Sequence, residues 1–166
     1  MDALTLHIDK RLIPILEEVK DPEIPVLSVL DMGVVRSAVI DEGFVYVKIT
    51  PTYSGCPAMD VIADDIKSAL ANAGYNSKVE LVLSPAWTTD WITEKGRKAL
   101  SKFGIAPPLN AVADKEALLD KKRIVKCTLC GSTNTQVVSQ FGSTACKALF
   151  KCEDCLEPFD YFKCLK

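Results

Sequence analysis

Only one histidine, His7, occurs among the 166 residues. It falls in the N-terminal turn, where a surface position is expected. No Ser-His-Asp or Cys–His catalytic set can therefore be drawn from this chain. Phosphate-binding loops are missing too: there is no G-x-x-x-x-G-K-[ST] and no G-x-G-x-x-G. Basic charge is not in excess. Lys and Arg number 20 against 22 Asp and Glu, for a net charge of −2 and a pI near 5.5. Phosphate binding needs a basic surface, so a nucleic-acid partner is not expected. No stretch reaches the roughly 18 apolar residues of a membrane span. The first ten residues carry Asp2 and Asp9 and lack the apolar core of a signal peptide. A cytoplasmic protein with no membrane partner is the expectation.

What is present is a globular composition, 48% hydrophobic and 25% charged. The length allows one domain of about 100 residues and a small module. Ile8, Leu12, Ile15, Leu16 and Val19 have helical spacing. Pro14 is tolerable there only in a first turn. Asp21-Pro22-Glu23-Ile24-Pro25 then forces an extended loop. Val34 to Ile40 and Phe44 to Thr50 read as a hairpin about an Asp41-Glu42-Gly43 turn. A helix opens at Pro57, with Met59, Ile62, Ile66, Leu70 and Ala73 as its apolar stripe and Gly74 as its stop. Val79 to Leu83 is a third strand, and Thr93 to Phe103 a further helix closed by Gly104, with Ile105 packing back. The class is α+β: a small three-stranded sheet with helices packed on it, followed by a zinc-ribbon-like β module. Pro107-Pro108 marks a boundary. Residues 1–106 are the α/β domain, 107–125 a linker or short helix, and 126–166 the module.

Six of the seven cysteines lie in that module. In a reducing compartment they are not expected to be disulfides. Cys127 and Cys130 form one Cys-x-x-Cys pair and Cys152 and Cys155 another, with 21 residues between (131–151). Two residues between thiols let both sulfurs of a pair turn inward on one knuckle, and two knuckles make a tetrahedral S₄ cage. Gly131 suits the first knuckle because it takes positive φ freely. Thr135 to Phe141, Ala148 to Lys151 and Phe159 to Lys163 are the candidate strands. Zinc is the expected ion, since closed four-cysteine sites are commonly structural zinc; an iron–sulfur centre is the alternative. Cys146 and Cys164 are surplus thiols, either core residues, alternative ligands or cluster-transfer groups. A module this small is expected to depend on its metal for want of a core.

Cys56 stands apart. It precedes Pro57, at the expected N-cap, where free N–H groups and the helix dipole favour a thiolate. Asp60, one turn on, is the nearest acid in the sequence. A reactive or metal-transferring thiol and a small capping residue are both open. Trp87 and Trp91 are expected to pack rather than to form a ligand box.

These stretches have a familiar form. Asp21-Pro22-Glu23-Ile24-Pro25-Val26 through Asp31-Met32-Gly33, with Thr50-Pro51-Thr52-Tyr53-Ser54-Gly55-Cys56-Pro57, resembles the SufT-like domain of iron–sulfur assembly proteins. Pro85-Ala86-Trp87-Thr88-Thr89-Asp90-Trp91, the segment Phe141 to Ala148 and the ending Glu157 to Lys163 resemble one branch, the PaaD family of the phenylacetyl-CoA epoxidase system. The resemblance implies an accessory or maturation subunit of a ring-epoxidising oxygenase in aerobic phenylacetate degradation. It would assist assembly or delivery of an iron–sulfur or iron centre, with Cys56 as the functional thiol and little catalysis of its own. Its partners would be the reductase or the diiron oxygenase component, with a homodimer left open. The alternative is a non-catalytic structural or interaction component of the complex. A diiron site draws Glu-x-x-His pairs from several helices, so one histidine puts the oxygenation chemistry in another subunit.

Overall fold

The computed structural model describes residues 7–163, so Cys164 lies outside the described residues. They divide into two compact units, 7–87 with 91–96, and 88–90 with 97–163.

In the first unit a four-stranded sheet runs in the order β1-β2-β3-β4. Its strands are β1 (His7–Ile8), β2 (Val35–Asp41), β3 (Phe44–Ile49) and β4 (Asn76–Leu81). The β2–β3 hairpin is antiparallel and closes through Glu42 and Gly43 at φ 48° and 81°. Positive φ at both central residues is the turn whose twist matches that of the strands. β4 joins parallel to β3, as its crossover helix requires. It begins three residues before the expected Val79.

β1 is a fourth, edge strand beyond the three expected, parallel to β2. Ile8 therefore serves the sheet and not a helix face. Helix α1 is short, Ile13–Glu17, with Pro14 in its first turn, where no intrahelical N–H is lost.

Helix α2 (Ala58–Asn72) buries Ala58, Met59, Ile62, Ile66 and Leu70. This is the predicted stripe except for Ala73, which is exposed beyond the last turn. Val45, Val47 and Ile49 of β3 are buried at 1% exposure or less, alternating with exposed Tyr46 and Lys48. A strand with one covered face reads this way. Trp87 is buried and donates its Nε1–H to the Met32 carbonyl at 3.0 Å, so it packs, as expected.

The second unit holds a sheet of order β5-β8-β7-β6. Its strands are β5 (Ile105–Ala106), β6 (Thr135–Ser139), β7 (Lys147–Cys152) and β8 (Pro158–Phe162). Helix α3 (Glu94–Phe103) leads into it and stops at Gly104, φ 97°. Ile105 is buried, and it pairs parallel with Asp160 in the second sheet. The stretch between the prolines and Arg123 carries helix α4 (Ala111–Leu118), capped by the Asn110 side chain accepting from the Ala113 N–H at 3.0 Å.

The expectation that this part lacks a core does not hold. Phe150, Phe159 and Tyr161 are buried with Ala106, Ala117, Val125 and Ala148. Phe150 meets Tyr161 edge-on with ring centroids 5.3 Å apart, a favoured aromatic geometry. The Tyr161 hydroxyl donates to buried Asp114 at 2.5 Å and accepts the Leu109 N–H at 3.1 Å, fastening α4 and its approach to the sheet.

Candidate functional site

Sulfur gathers at one end of the second sheet. Thr135 pairs with Cys152 at the β6–β7 end, and the two Cys-x-x-Cys knuckles meet there. The four sulfurs of Cys127, Cys130, Cys152 and Cys155 all lie within 4.8 Å of one another. Cys127 is 3.7 Å from Cys155, and Cys130 is 3.5 Å from Cys152. A tetrahedral ion with bonds of about 2.3 Å separates its sulfurs by about 3.8 Å, so the donor set fits such an ion.

The knuckles are built alike. The Leu129 N–H points to the Cys127 sulfur at 3.4 Å, and the Cys155 N–H to the Cys152 sulfur at 3.5 Å. Each ends on a residue with positive φ, Gly131 at 75° and Leu156 at 66°. Asp154, inside the second knuckle, reaches back to the first. It accepts a short hydrogen bond from the Ser132 hydroxyl and one at 2.8 Å from the Asn134 amide. These bonds, Ser132 first, hold its carboxyl below the usual range. Sequence reasoning missed all three residues; the acid within Cys-Glu-Asp-Cys was the only hint of them.

Four thiols this close cannot ionise independently. The Cys155 N–H, followed by the Asp154 N–H and the neighbouring thiols, draws Cys152 down to about 7 against the cost of desolvation. Cys155 is pushed up to about 12: the Glu157 N–H favours its thiolate, but desolvation and the surrounding sulfurs outweigh it. Without a cation the cluster cannot carry several negative charges near neutral pH; a thiophilic cation removes that obstacle.

Cys146 is not in this cluster. It is buried beside the Thr144 hydroxyl, 3.1 Å from its sulfur, and its carbonyl accepts the Lys163 N–H. The Lys163 ammonium lies 4.1 Å from the Phe141 ring centre and donates to the Gln140 carbonyl.

Cys56 belongs to the first unit and lies one residue further from the helix than expected, since Pro57 is the N-cap of α2. The thiol is half-buried. Burial is the largest influence on it and raises its pKa above the ordinary 9. The Ala58 N–H and the Tyr53 side chain, both hydrogen-bonded to the sulfur, offset this only in part. The expected helix-end activation is therefore outweighed. The acids acting on the sulfur are Glu23 and Asp21, both of which raise its pKa, and not Asp60. Asp21 is 8% exposed, and its Oδ1 accepts the N–H groups of Glu23 and Ile24 at 2.8 and 2.9 Å. That clamp holds the turn at the start of the Asp-Pro-Glu-Ile-Pro loop. Asp60 is exposed on the first turn of α2. His7 is exposed on edge strand β1.

Comparison with known proteins matches both parts. Residues 10–82 match the family described as iron–sulfur cluster assembly protein, and residues 111–163 the PaaD zinc beta ribbon domain. A protein of Escherichia coli (strain K12), named as one of the subunits of 1,2-phenylacetyl-CoA epoxidase, is 47% identical over 153 residues, covering 91% of this chain and 90% of that one. The iron–sulfur protein maturation auxiliary factor YitW of Bacillus subtilis (strain 168) is 35% identical over 88 residues, 51% of this chain and 85% of its own. A crystal structure of a DUF59 domain from Bacillus anthracis superposes with a TM-score of 0.51 at 28% identity, covering 54% of this chain and 88% of that one. The ribbon match and the four gathered sulfurs together point to a metal-binding module. No helix among the described residues is long and apolar enough to cross a membrane. With an assembly-type domain ahead of a four-cysteine ribbon, and close similarity along nearly its whole length, the chain belongs to the PaaD family.

Proposed function

We propose that this protein is an accessory maturation subunit of the 1,2-phenylacetyl-CoA epoxidase system, acting in the cytoplasm. It receives an iron or iron–sulfur unit at Cys56 and passes it to a partner, the reductase or the diiron oxygenase. The observation that carries this reading is the half-buried Cys56 thiol under the influence of Glu23 and Asp21. Negative charge that disfavours a thiolate favours a cation. At neutral pH the thiol stays protonated and unreactive toward electrophiles. When a thiophilic cation arrives, the S–H bond breaks as the S–metal bond forms, and the proton leaves to water. The metal unit is cargo here, bound and released, and no redox step is needed. Similarity to maturation factors over the first unit supports the same role.

The ribbon, in this reading, holds one zinc ion through Cys127, Cys130, Cys152 and Cys155 and serves docking. The zinc supplies no chemistry beyond holding the knuckles. Protein purified without air should be colourless with one zinc per chain by elemental analysis. A brown, iron-loaded ribbon would overturn that assignment.

Cys56→Ser tests the central claim. Cells carrying it should grow poorly on phenylacetate and contain under-loaded reductase or oxygenase. Undiminished growth with normal cluster loading would end the proposal. One observation favours a second reading: the Ala58 N–H bonds to the Cys56 sulfur, a contact that a purely structural thiol beside the helix start would also make. The protein would then be a structural component, recovered stoichiometrically with the catalytic complex.

A further inference from the structure

Arg36 is a buried cation that neither the ribbon nor Cys56 uses. It occupies the bulge of β2, between Val35, paired with Ile49, and Ser37, paired with Lys48. Its exposure is 5%, yet among the described residues Nε and Nη1 have no hydrogen-bond partner. No carboxylate among them offsets its burial, which pulls the guanidinium below its ordinary pKa. A buried charge without a counter-charge is strongly unfavourable, and such groups are normally paired.

The guanidinium is closely enclosed. The Trp91 ring covers the guanidinium, its centre 3.4 Å from Cζ. That cation–π contact offsets only part of the desolvation. The cover is fixed in place by Gly33: a Cβ there would lie 2.6 Å from both the Cβ and the carbonyl oxygen of Trp91. Just past the end of β3, the Thr50 N–H donates to the Val34 carbonyl at 2.8 Å, two residues from Arg36. Thr50 is 1% exposed, and its hydroxyl is also unpartnered among the described residues. Nε and Nη1 of Arg36 and the Thr50 hydroxyl are thus all buried and without a partner among the described residues.

We propose that Arg36, Thr50 and the Trp91 indole bind the carboxylate of a small organic monoacid. A single cation calls for a single negative charge. Lys48, the next cation by register, is exposed and stands opposite Glu80, so it does not supply the second charge that a dianionic phosphate calls for. The indole flank accepts the hydrocarbon end of the acid. Cys56 takes no part in this site, so its failure and that of the maturation proposal are separable.

The test uses the full chain, ¹⁵N-labelled, titrated with sodium formate and then acetate, with sodium chloride holding ionic strength constant. The Arg36 Nε–H and Trp91 indole N–H resonances should shift saturably. Arg36→Lys should abolish the response, and Thr50→Val should weaken binding about tenfold, the effect of one hydrogen bond to a charged group. Should the lysine variant fail to fold, the wild-type and Thr50→Val titrations decide. Resonances that ignore both acids, or move equally with chloride, mean that only water fills the site, and they overturn the proposal. An undiminished response in Thr50→Val would also overturn it.

Discussion

The two units are held by different means. In the first, Leu12, Leu16, Leu27, Val35, Ala38, Val45, Ile66 and Leu70 are all fully buried, an aliphatic core closed by a helix on a sheet. In the second, three aromatic rings and two cysteines share one small cluster, and the sulfurs end where a metal would begin. A unit with enough apolar area needs no ion. A smaller one can use coordination to add to what its core supplies.

That contrast can be broken from either side, and the metal side has the larger effect. Cys152→Ser, or a strong chelator, should abolish stoichiometric metal binding. Structural zinc in small modules contributes on the order of 10 kcal/mol. Amide exchange should then show protection lost across β6, β7 and β8 while β2–β4 and α2 keep theirs. Equal protection in both units would mean that the aromatic cluster suffices alone.

Ile66→Ala attacks the other side. Its side chain is wholly buried, and the cavity should cost about 2–5 kcal/mol. Denaturation should show the first unit weakened, with metal content unchanged. Tyr161→Phe is smaller. It removes a hydroxyl that bonds Asp114 and the Leu109 N–H, for about 1–3 kcal/mol, and should speed exchange in α4 before β7.

The smallest effect concerns rate. The Cys56 pKa is raised above 9, so its alkylation should keep accelerating with pH until that raised value is passed and level off only beyond it. Glu23→Gln removes one of the charges holding it up. The midpoint should move down, and labelling at pH 8 should quicken a few-fold. An unmoved midpoint would free Cys56 from the influence of that acid.

Much of this was legible in advance, for local reasons. The hairpin announced itself because the Asp41-Glu42-Gly43 turn sits between a run rich in β-branched residues and an alternating one, and the knuckles because two residues between thiols have one obvious geometry. The start of β4 is hidden because Asn76 and Ser77 look like loop residues; only pairing with Phe44 and Val45 makes them strand. β1 was invisible because two residues carry no period. For Cys56 the sequence points one turn ahead to Asp60, whereas the acids that act on it belong to a loop more than 30 residues back, at Asp21 and Glu23. Asp114 and Tyr161 are 47 positions apart, and no local pattern links them. Arg36 gave no signal at all, since an arginine in a strand normally faces water.

One pairing bears on how this protein can be cut. Ile105 and Ala106 lie along β8, well before the first knuckle cysteine. A fragment starting at Lys126 would keep every metal ligand and still bare the backbone donors and acceptors of Asp160 and Tyr161 along a raw flank. Such flanks recruit other chains. Ribbon fragments would therefore load zinc yet associate at high concentration, and a soluble version should begin ahead of Ile105.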